Sequence, residues 1–292
     1  MPSSHRLRRS VLYVPAANNK ALAKLPSLDC DVAIIDLEDS VAPERKDEAR
    51  ERLRDFFRQT ERGRRELVIR INALSGKWGG EDLLAARACK PDAILLPKVD
   101  TPRDVLDAND ALDETDAPAS LEIWAMVETP KAMLNLGAIA ELGRDPSARL
   151  CCLVAGTNDL AKETGVADRR YLTPWLMQMV LAARAGGLDI IDGVSNDFRD
   201  AEAFARECGE ARAMGFDGKT LIHPAQIGPA NAVFSPSEAE MAEAEAIRDV
   251  FAKPENSGKG AISLNGRMVE RLHLEQADRV LARAAAIKER GV

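Results

Sequence analysis

Acidic residues stand at the ends of successive apolar runs in this chain. Asp36, Glu38 and Asp39 follow one run, Glu128 ends another, and Asp159 follows a third. If these runs are strands of a parallel barrel, their C-terminal ends share one mouth, and acids distant in sequence can hold one cation. Two carboxylates completed by water and a chelating substrate suit Mg²⁺, which protein alone seldom encloses. Glu128 and Asp159 are therefore the predicted metal ligands, with helix caps or surface ion pairs as the structural alternative.

Two basic residues, Arg70 and Lys98, also close apolar runs and are expected at the same mouth as the acids. The cluster of Asp36, Glu38 and Asp39 would be costly to bury without cations or donors, so either a salt-bridge cluster or an active site is expected there. Arg70 can pair with these acids, or its planar fork can hold a substrate carboxylate or carbonyl. Lys98 can form a Schiff base or contribute positive charge. We favour the second role, because the metal ligands make an imine mechanism redundant.

Histidine and cysteine give little support for a zinc site. The chain has three histidines, of which His5 lies in the N-terminal tail, His273 near the C-terminus, and only His223 at the end of an apolar run. His223 suits a structural donor as well as a ligand. The five cysteines show no C-x-x-C spacing, which predicts reduced, buried thiols.

Strands and helices alternate along the chain. Eight short apolar or β-branched runs predict strands at 11–15, 32–37, 67–72, 93–99, 122–127, 150–155, 189–194 and 220–223. Helical patterns lie between them at 43–59, 80–88, 102–112, 131–142, 174–185 and 201–214. This alternation predicts the α/β class and a (β/α)8 TIM barrel. The rival, a doubly wound sheet, is disfavoured because no G-x-G-x-x-G follows the first run.

The C-terminal part follows a different pattern. We predict a catalytic barrel over residues 1–230 and a helical and linker cap over 231–292. The cap is predicted to contain a helix at 236–252, a turn-rich linker at 254–260, a strand at 261–264, an Asn265-Gly266 turn and a helix at 267–290. It is expected to cover the same barrel or to reach a neighbouring subunit.

Composition limits the partners. A chain of 292 residues with 46% hydrophobic content can bury one large core. The net charge of −7 argues against a nucleic-acid footprint. No apolar run is long enough for a membrane span or a signal peptide. A cytoplasmic protein with a small-molecule partner is expected, and a very short organellar presequence in the basic residues 1–9 is the alternative.

Eight motifs together resemble those of the citrate lyase β-subunit-like family of CoA-ester lyases, within the wider HpcH/HpaI aldolase/citrate lyase superfamily. They are RSVLYVP at 9–15, IDLEDSVAP at 35–43, VIRIN at 68–72, LPK at 96–98, VETP at 127–130, GTNDL at 156–160, DFRD at 197–200 and GKTLIHP at 218–224. The resemblance implies a barrel of the phosphoenolpyruvate/pyruvate type that depends on Mg²⁺ and is usually trimeric. It also implies cleavage or formation of a C–C bond in a 3-hydroxyacyl-CoA thioester, such as citryl-, malyl- or citramalyl-CoA, giving an acyl-CoA and a 2-oxo acid.

The resemblance also assigns roles to residues. Glu128 and Asp159 match the metal ligands, and Arg70 matches the substrate-binding arginine. The acidic strand end that includes Asp36, Glu38 and Asp39 orients water and the arginine, which makes Asp36 and Glu38 catalytic candidates beside Arg70. Asn158 is expected to contact substrate, as are Arg70 and Glu128. A substrate hydroxyl and carboxylate can chelate Mg²⁺, while Arg70 stabilises the thioester enolate by about 3–4 kcal/mol.

Two positions depart from the family pattern. In the C-terminal segment the family places an aspartate, supplied by an adjacent subunit, that protonates the enolate carbon. Here Glu270 takes that place, and its extra methylene displaces the carboxyl by roughly an ångström, which can alter rate or substrate choice. In the first loop the usual phosphate-binding arginine is absent, so phosphates of CoA must rely on Lys20, Lys24 or backbone amides.

Three other functions stay open. The chain can be a thioesterase for malyl-CoA-type esters, a CoA-independent aldolase for 2-oxo acids, or a subunit of a larger citrate lyase complex. The aldolase is disfavoured because it commonly uses a histidine early in the barrel, and none occurs between His5 and His223. The C-terminal segment favours a freestanding homo-oligomer, a trimer or a multiple of it.

Overall fold

The structure is a computed structural model that describes residues 6–61 and 63–291. It divides into two compact units. Arg8–Phe234 form one of them, and residues 235–291 form the other together with Arg6 and Leu7. His5 lies outside the described residues.

Eight parallel strands close into a barrel, and each pairs with its neighbours in sequence until β8 meets β1. They are β1 Ser10–Pro15, β2 Val32–Asp36, β3 Glu66–Arg70, β4 Ala93–Leu96, β5 Glu122–Val127, β6 Leu150–Ala155, β7 Asp189–Asp192 and β8 Gly218–Leu221. This confirms the predicted (β/α)8 TIM barrel. Five strands, predicted to end at 37, 72, 99, 194 and 223, stop one to three residues earlier. The residues beyond these ends turn into the loops that line the mouth.

Helices connect the strands. They are α1 Asn19–Lys24, α2 Lys46–Gln59, α3 Gly79–Cys89, α4 Pro102–Glu114, α5 Pro130–Glu141, α6 Thr157–Thr164, α7 Thr173–Gly186, α8 Ala201–Met214 and α9 Ile227–Phe234. Short 3-10 turns occur at Leu25–Ser27, Pro43–Arg45, Leu142–Arg144, Pro146–Ala148, Arg169–Leu172 and Pro224–Gln226. The sequence patterns did not predict α1, α6 and α9, because helices this short show too few turns for a period of 3.6. Within residues 6–61 and 63–291, no helix has the length and apolarity needed to cross a membrane.

Side chains alternate between the barrel interior and the helix layer, as the period of two requires. The Tyr13 hydroxyl lies 3.8 Å from the Met126 sulfur, a contact between β1 and β5 across the barrel. The buried interior cluster has the same alternation: Val11, Val32, Ile34, Val68, Ala93, Leu95, Trp124, Met126, Cys152, Val154 and Ile191. Asp36, Arg70 and Glu128 continue this inward set at the C-terminal strand ends.

An ion cluster fills the opposite end of the interior. The Arg8 guanidinium lies 2.8 Å from Glu66 and 2.8 Å from Asp189, and it stacks on the Trp124 ring at 4.7 Å. Arg8 and Glu66 are buried, so this end is packed rather than open. The C-terminal mouth is therefore the end where a substrate can enter.

The C-terminal unit contains α10 Glu238–Ala252, a 3-10 turn at Pro254–Asn256, β9 Ala261–Leu264, β10 Arg267–Glu270 and α11 Arg271–Arg290. The predicted helix at 267–290 is wrong over its first four residues, which form β10. Asn265 and Gly266 have φ angles of 50° and 78°, the conformation of a tight hairpin turn, and it pairs Arg267 with Leu264. That this unit caps a barrel stays a prediction.

Candidate active site

Arg70 is fixed at the mouth by Asp36. The two residues are register partners on β3 and β2. Arg70 Nε donates to Asp36 Oδ1 at 2.7 Å and Nη2 donates to Oδ2 at 2.7 Å, a bidentate pair between buried side chains. Burial alone would raise the pKa of Asp36, but the charge and hydrogen bonds of Arg70 outweigh burial and hold that pKa below its usual value. Asp36 is thus ionised and sets the plane of the guanidinium.

Glu38 is the second acid beside Arg70. Its Oε2 lies 2.9 Å from Arg70 Nη1, yet this oxygen is buried and makes no hydrogen bond. Its Oε1 lies 3.4 Å from Lys98 Nζ. Burial raises the pKa of Glu38 despite these cations. Asp39 is more distant, 3.6 Å from Arg70, and its side chain is exposed. Glu38 is therefore held between two cations, with a carboxyl whose affinity for a proton is raised by burial.

Glu128 lies directly after β5 and is 2% exposed. Its Oε1 accepts a hydrogen bond of 2.7 Å from the Lys98 backbone N–H. Lys98 has a φ of 51°, a left-handed conformation that is unusual for a lysine and that directs its N–H at Glu128. Burial raises the pKa of Glu128 to about 8, and the charges of Glu38 and Asp159 add to this rise, while the Lys98 N–H and the charge of Arg70 oppose it. A cation beside Glu128 would relieve this concentration of negative charge.

Asp159 approaches Glu128 from the next strand connection. It lies in the first turn of α6, is half-buried, and acts on Glu128 electrostatically. Gly156, the residue before α6, makes this approach feasible. A Cβ on Gly156 would lie 2.2 Å from Glu128 Cβ and 2.6 Å from Glu128 Oε2. The absence of a side chain at Gly156 thus lets the two connections come together.

The Glu128 and Asp159 pair fits a hard cation. Both offer only oxygen, and Glu128 is a buried carboxylate with two further acids, Glu38 and Asp159, acting on it. In the described part of the chain, no group of three or more His, Cys, Asp and Glu side chains is placed to hold a metal ion. A cation at Glu128 would therefore complete its shell with water and substrate, as Mg²⁺ does and as structural zinc does not.

His223 has a structural contact. Its Nδ1 accepts the Ala225 N–H at 3.1 Å, and its ring stacks on Phe198 with centroids 4.4 Å apart. In this contact His223 accepts a hydrogen bond rather than donating one, and its role as a structural donor or as a ligand stays a prediction.

Some predicted site residues are engaged elsewhere. Asn158 is exposed, and its amide exchanges hydrogen bonds of 3.1 and 2.9 Å with Asn196. Lys20 and Lys24 are exposed on α1. Glu270 belongs to the C-terminal unit, where it is exposed and its N–H donates to His273 Nδ1 at 3.0 Å. The roles of these residues stay predictions.

Tyr13 is a site residue that the sequence patterns did not single out. The Arg70 guanidinium carbon lies 4.9 Å from the centroid of the Tyr13 ring. Burial raises the pKa of Tyr13 further above its usual value, so the phenol keeps its proton. The alternation of β1 provides the signal, because it places Tyr13 on the same inward face as Val11. Tyr13 and Met126 form an apolar wall beside Arg70.

Replacing Gly156 with alanine should damage the site without unfolding the barrel. The added Cβ must displace Glu128, and overpacking of this kind costs about 1–3 kcal/mol. We expect Mg²⁺ affinity, measured by calorimetry on the metal-free protein, to fall by roughly tenfold or more. Gly137→Ala is the control, because a Cβ there meets nothing within 4 Å. An unchanged affinity in Gly156→Ala would contradict the close approach.

The fold and the residues at the mouth define the class of protein. It is a (β/α)8 barrel in which acids hold Arg70 and in which Glu128 and Asp159 lie on adjacent strand connections. A profile of the HpcH/HpaI aldolase/citrate lyase family matches residues 9–224. The chain belongs to this family.

Individual relatives cover nearly the whole chain. A (3S)-malyl-CoA thioesterase of Cereibacter sphaeroides is 46% identical over 96% of this chain and 95% of its own length. A mitochondrial citramalyl-CoA lyase of Mus musculus is 34% identical over 99% of this chain and 90% of its own length. The structure of CitE from Mycobacterium tuberculosis in complex with magnesium, acetoacetate and coenzyme A has a TM-score of 0.75 and 29% identity, over 94% of this chain and 97% of that one.

Proposed function

We propose that this protein is a Mg²⁺-dependent enzyme for a 3-hydroxyacyl-CoA thioester of the malyl-CoA type. The observation that carries the proposal is the pairing of a buried, charge-crowded Glu128 and nearby Asp159 with an arginine fixed by Asp36. The relatives act on malyl-CoA and citramalyl-CoA, and the CitE structure contains magnesium and CoA. These comparisons support the same substrate class here.

Each residue has a role in this proposal. Glu128 and Asp159 would hold Mg²⁺, which when bound supplies Lewis acidity to the hydroxyl and carboxylate of the substrate. Arg70 donates toward the thioester oxygen, where negative charge develops in the transition state, and one such donor is worth about 3–4 kcal/mol. Asp36 keeps the guanidinium in position. Tyr13 and its neighbour Met126 exclude water from one side of Arg70.

We place thioester hydrolysis first among the reactions. Identity to the malyl-CoA thioesterase is 46%, against 34% to the citramalyl-CoA lyase. Hydrolysis needs a base for water, and Glu38, a carboxylate beside Arg70 whose pKa is raised by burial, is the candidate. Hydrolysis also needs no acid at carbon, so it tolerates glutamate at position 270.

C–C cleavage, the reaction expected from the sequence, is the second candidate. It uses the same residues, because Arg70 can stabilise an enolate oxygen as well as a tetrahedral one. It additionally needs Glu270, or another acid, to protonate the enolate carbon. A CoA-independent aldolase is less well supported, since no histidine occurs between His5 and His223 to act as a base early in the barrel.

Product analysis tests the proposal. The pure protein is incubated with Mg²⁺ and malyl-, citramalyl- or citryl-CoA, each with an EDTA control, and the products are measured by mass spectrometry. Metal-dependent free CoA with intact hydroxy acid would establish hydrolysis, and acyl-CoA with a 2-oxo acid would establish C–C cleavage. Absence of any metal-dependent reaction would contradict the proposal and favour a subunit of a larger complex.

Restoring the family residue at position 270 should shift the ratio of products. We expect Glu270→Asp to raise C–C cleavage relative to hydrolysis by roughly tenfold, because the carboxyl moves by about an ångström. Glu275→Asp, an exposed change on α11, is the matched control. An identical product ratio in both variants would remove Glu270 from the reaction.

A homo-oligomer, a trimer or a multiple of it, forms part of the proposal. Large apolar side chains are exposed on α5, on the turn before α7 and on α7: Leu134, Tyr171, Met177 and Leu181. Soluble monomers rarely expose apolar side chains in groups. Sedimentation velocity gives the oligomeric state directly.

A further inference from the structure

Lys46 is a buried cation that the proposed reaction does not use. It is the first residue of α2 and is only 4% exposed. Its ammonium donates to the Leu37 carbonyl at 2.7 Å, to the Glu38 carbonyl at 2.8 Å and to Asn72 Oδ1 at 3.0 Å. A lysine ammonium has three N–H donors, so all of them are engaged.

These acceptors belong to the two connections that carry the acids and the arginine. Leu37 and Glu38 follow β2, and Asn72 follows β3 two residues after Arg70. The side-chain amide of Asn72 also donates to the Leu37 carbonyl at 2.9 Å. Lys46 therefore joins the connection after β2 to the connection after β3.

The turn that Lys46 holds, residues 37–41, carries Glu38. Within it, Glu38 N–H donates to Asp36 Oδ1 at 2.9 Å and Val41 N–H donates to the Glu38 carbonyl at 3.0 Å. Because the Glu38 backbone is fixed on both sides, its carboxylate reaches Arg70. Within this turn Lys46 bonds only backbone carbonyls, so both carboxylate oxygens of Glu38 stay directed to the site.

We propose that Lys46 is a positioning residue, which holds the 37–41 turn so that Glu38 and Arg70 keep their reactive arrangement. This inference rests on the proposed function for its catalytic consequence, but its structural part is independent of any reaction. Residues around a site that fix its reactive groups typically contribute about 10–100-fold.

Arg50 provides a matched control on the same helix. It lies one turn after Lys46, is 5% exposed, and pairs with Asp82 at 2.9 Å and with Glu81 at 2.7 Å. It thus has the same charge and burial as Lys46, but it bonds α3 rather than the backbone of the 37–41 turn. Its partner Asp82 also accepts from the Asn72 N–H at 3.0 Å, so Arg50 acts on the turn only indirectly. Loss of either cation should lower stability, and loss of Lys46 should disturb the turn far more.

The first readout is amide hydrogen exchange in the absence of metal and substrate. In Lys46→Met we expect the amides of Glu38, Ser40 and Val41 to exchange at least about tenfold faster than in the parent protein. In Arg50→Met the increase should be much smaller, because Arg50 acts on this turn only through Asp82 and Asn72. If the amides of this turn exchange equally fast in Lys46→Met and in the parent, the proposal is wrong, whichever substrate the enzyme uses.

The second readout is kinetic. We expect Lys46→Met to lower kcat by about 10–100-fold while changing the Kd for Mg²⁺ by less than roughly threefold, because Glu128 and Asp159 lie on other connections. If Lys46→Met does not fold, Lys46→Arg keeps the charge but cannot reproduce the three-way contact, and the same faster exchange is expected. Equal losses of kcat in the Lys46 and Arg50 variants would also refute positioning. Inactivity of the parent toward every thioester would reject the proposed function and leave the exchange result to decide on Lys46.

Discussion

Glu128→Gln should abolish Mg²⁺-dependent turnover and, at pH 8, make the metal-free protein more stable. Glutamine keeps the oxygen that accepts the Lys98 N–H but removes the buried charge. The pKa of Glu128 is raised from about 4.5 to about 8 by burial and by neighbouring acids. The substitution thus removes a proposed metal ligand, which lowers activity. It also removes a buried charge, which raises the stability of the metal-free protein.

The sign of the pH dependence follows from linkage. The folded protein binds the Glu128 proton more tightly than the unfolded chain does, so this group favours folding below pH 4.5 relative to higher pH. That contribution is lost progressively as pH rises to about 8, and the total is roughly 5 kcal/mol at most. In EDTA, thermal melts should show Glu128→Gln gaining stability over the parent as pH rises, with little difference near pH 4.5.

Mg²⁺ reverses the comparison. The ion should raise the Tm of the parent, most strongly at high pH where Glu128 is ionised, and leave Glu128→Gln unchanged. Asp159→Asn is the second variant: Asp159 is half-buried, so its loss should remove Mg²⁺ binding with a smaller gain in stability. A Glu128→Gln protein that still responds to Mg²⁺ would exclude Glu128 as a ligand.

Arg70→Lys is expected to have the second large effect, a fall in kcat/KM of about 10²–10³-fold. Lysine keeps the charge but cannot donate two parallel hydrogen bonds to Asp36 while a third nitrogen lies 2.9 Å from Glu38, as Nη1 of Arg70 does. Its point charge would settle between Asp36 and Glu38, away from the substrate. Steady-state kinetics on the most active thioester measures the loss.

The barrel contains its own control for Arg70. Arg9 makes a similar buried bidentate pair with Asp31, with distances of 2.8 and 2.9 Å, before β1 rather than at the mouth. Arg9→Lys and Arg70→Lys should each lower the free energy of unfolding by about 2–3 kcal/mol. Only Arg70→Lys should lose activity per folded molecule. Similar kinetics for the two variants would show that Arg70 is a structural residue.

The sequence predicted the barrel because its evidence is local. Each strand and most helices show their own period, and the strand-end positions of Asp36, Arg70 and Glu128 follow from the parallel topology alone. The roles given to these residues stay predictions, although the structure places Asp36 against Arg70 and Glu128 near Asp159.

Other features depend on contacts that no local pattern encodes. A lysine at the start of a helix usually faces water, and Lys46 is buried only because the 37–41 turn and Asn72 fold over it. At 267–290, the helical composition of the segment masked a strand that the Asn265-Gly266 turn imposes. In both cases the decisive partner lies outside the window in which a period can be measured.

The packed Arg8 cluster has a consequence for the order of events during turnover. Because Arg8, Glu66 and Asp189 pack one end of the barrel, a substrate must both reach the site and leave it through the mouth at the other end. Under the proposed function, incoming thioester and departing CoA share that single passage. Released CoA that stays bound at the mouth would compete with the next substrate. Product release can therefore limit the rate even when the chemical step is fast.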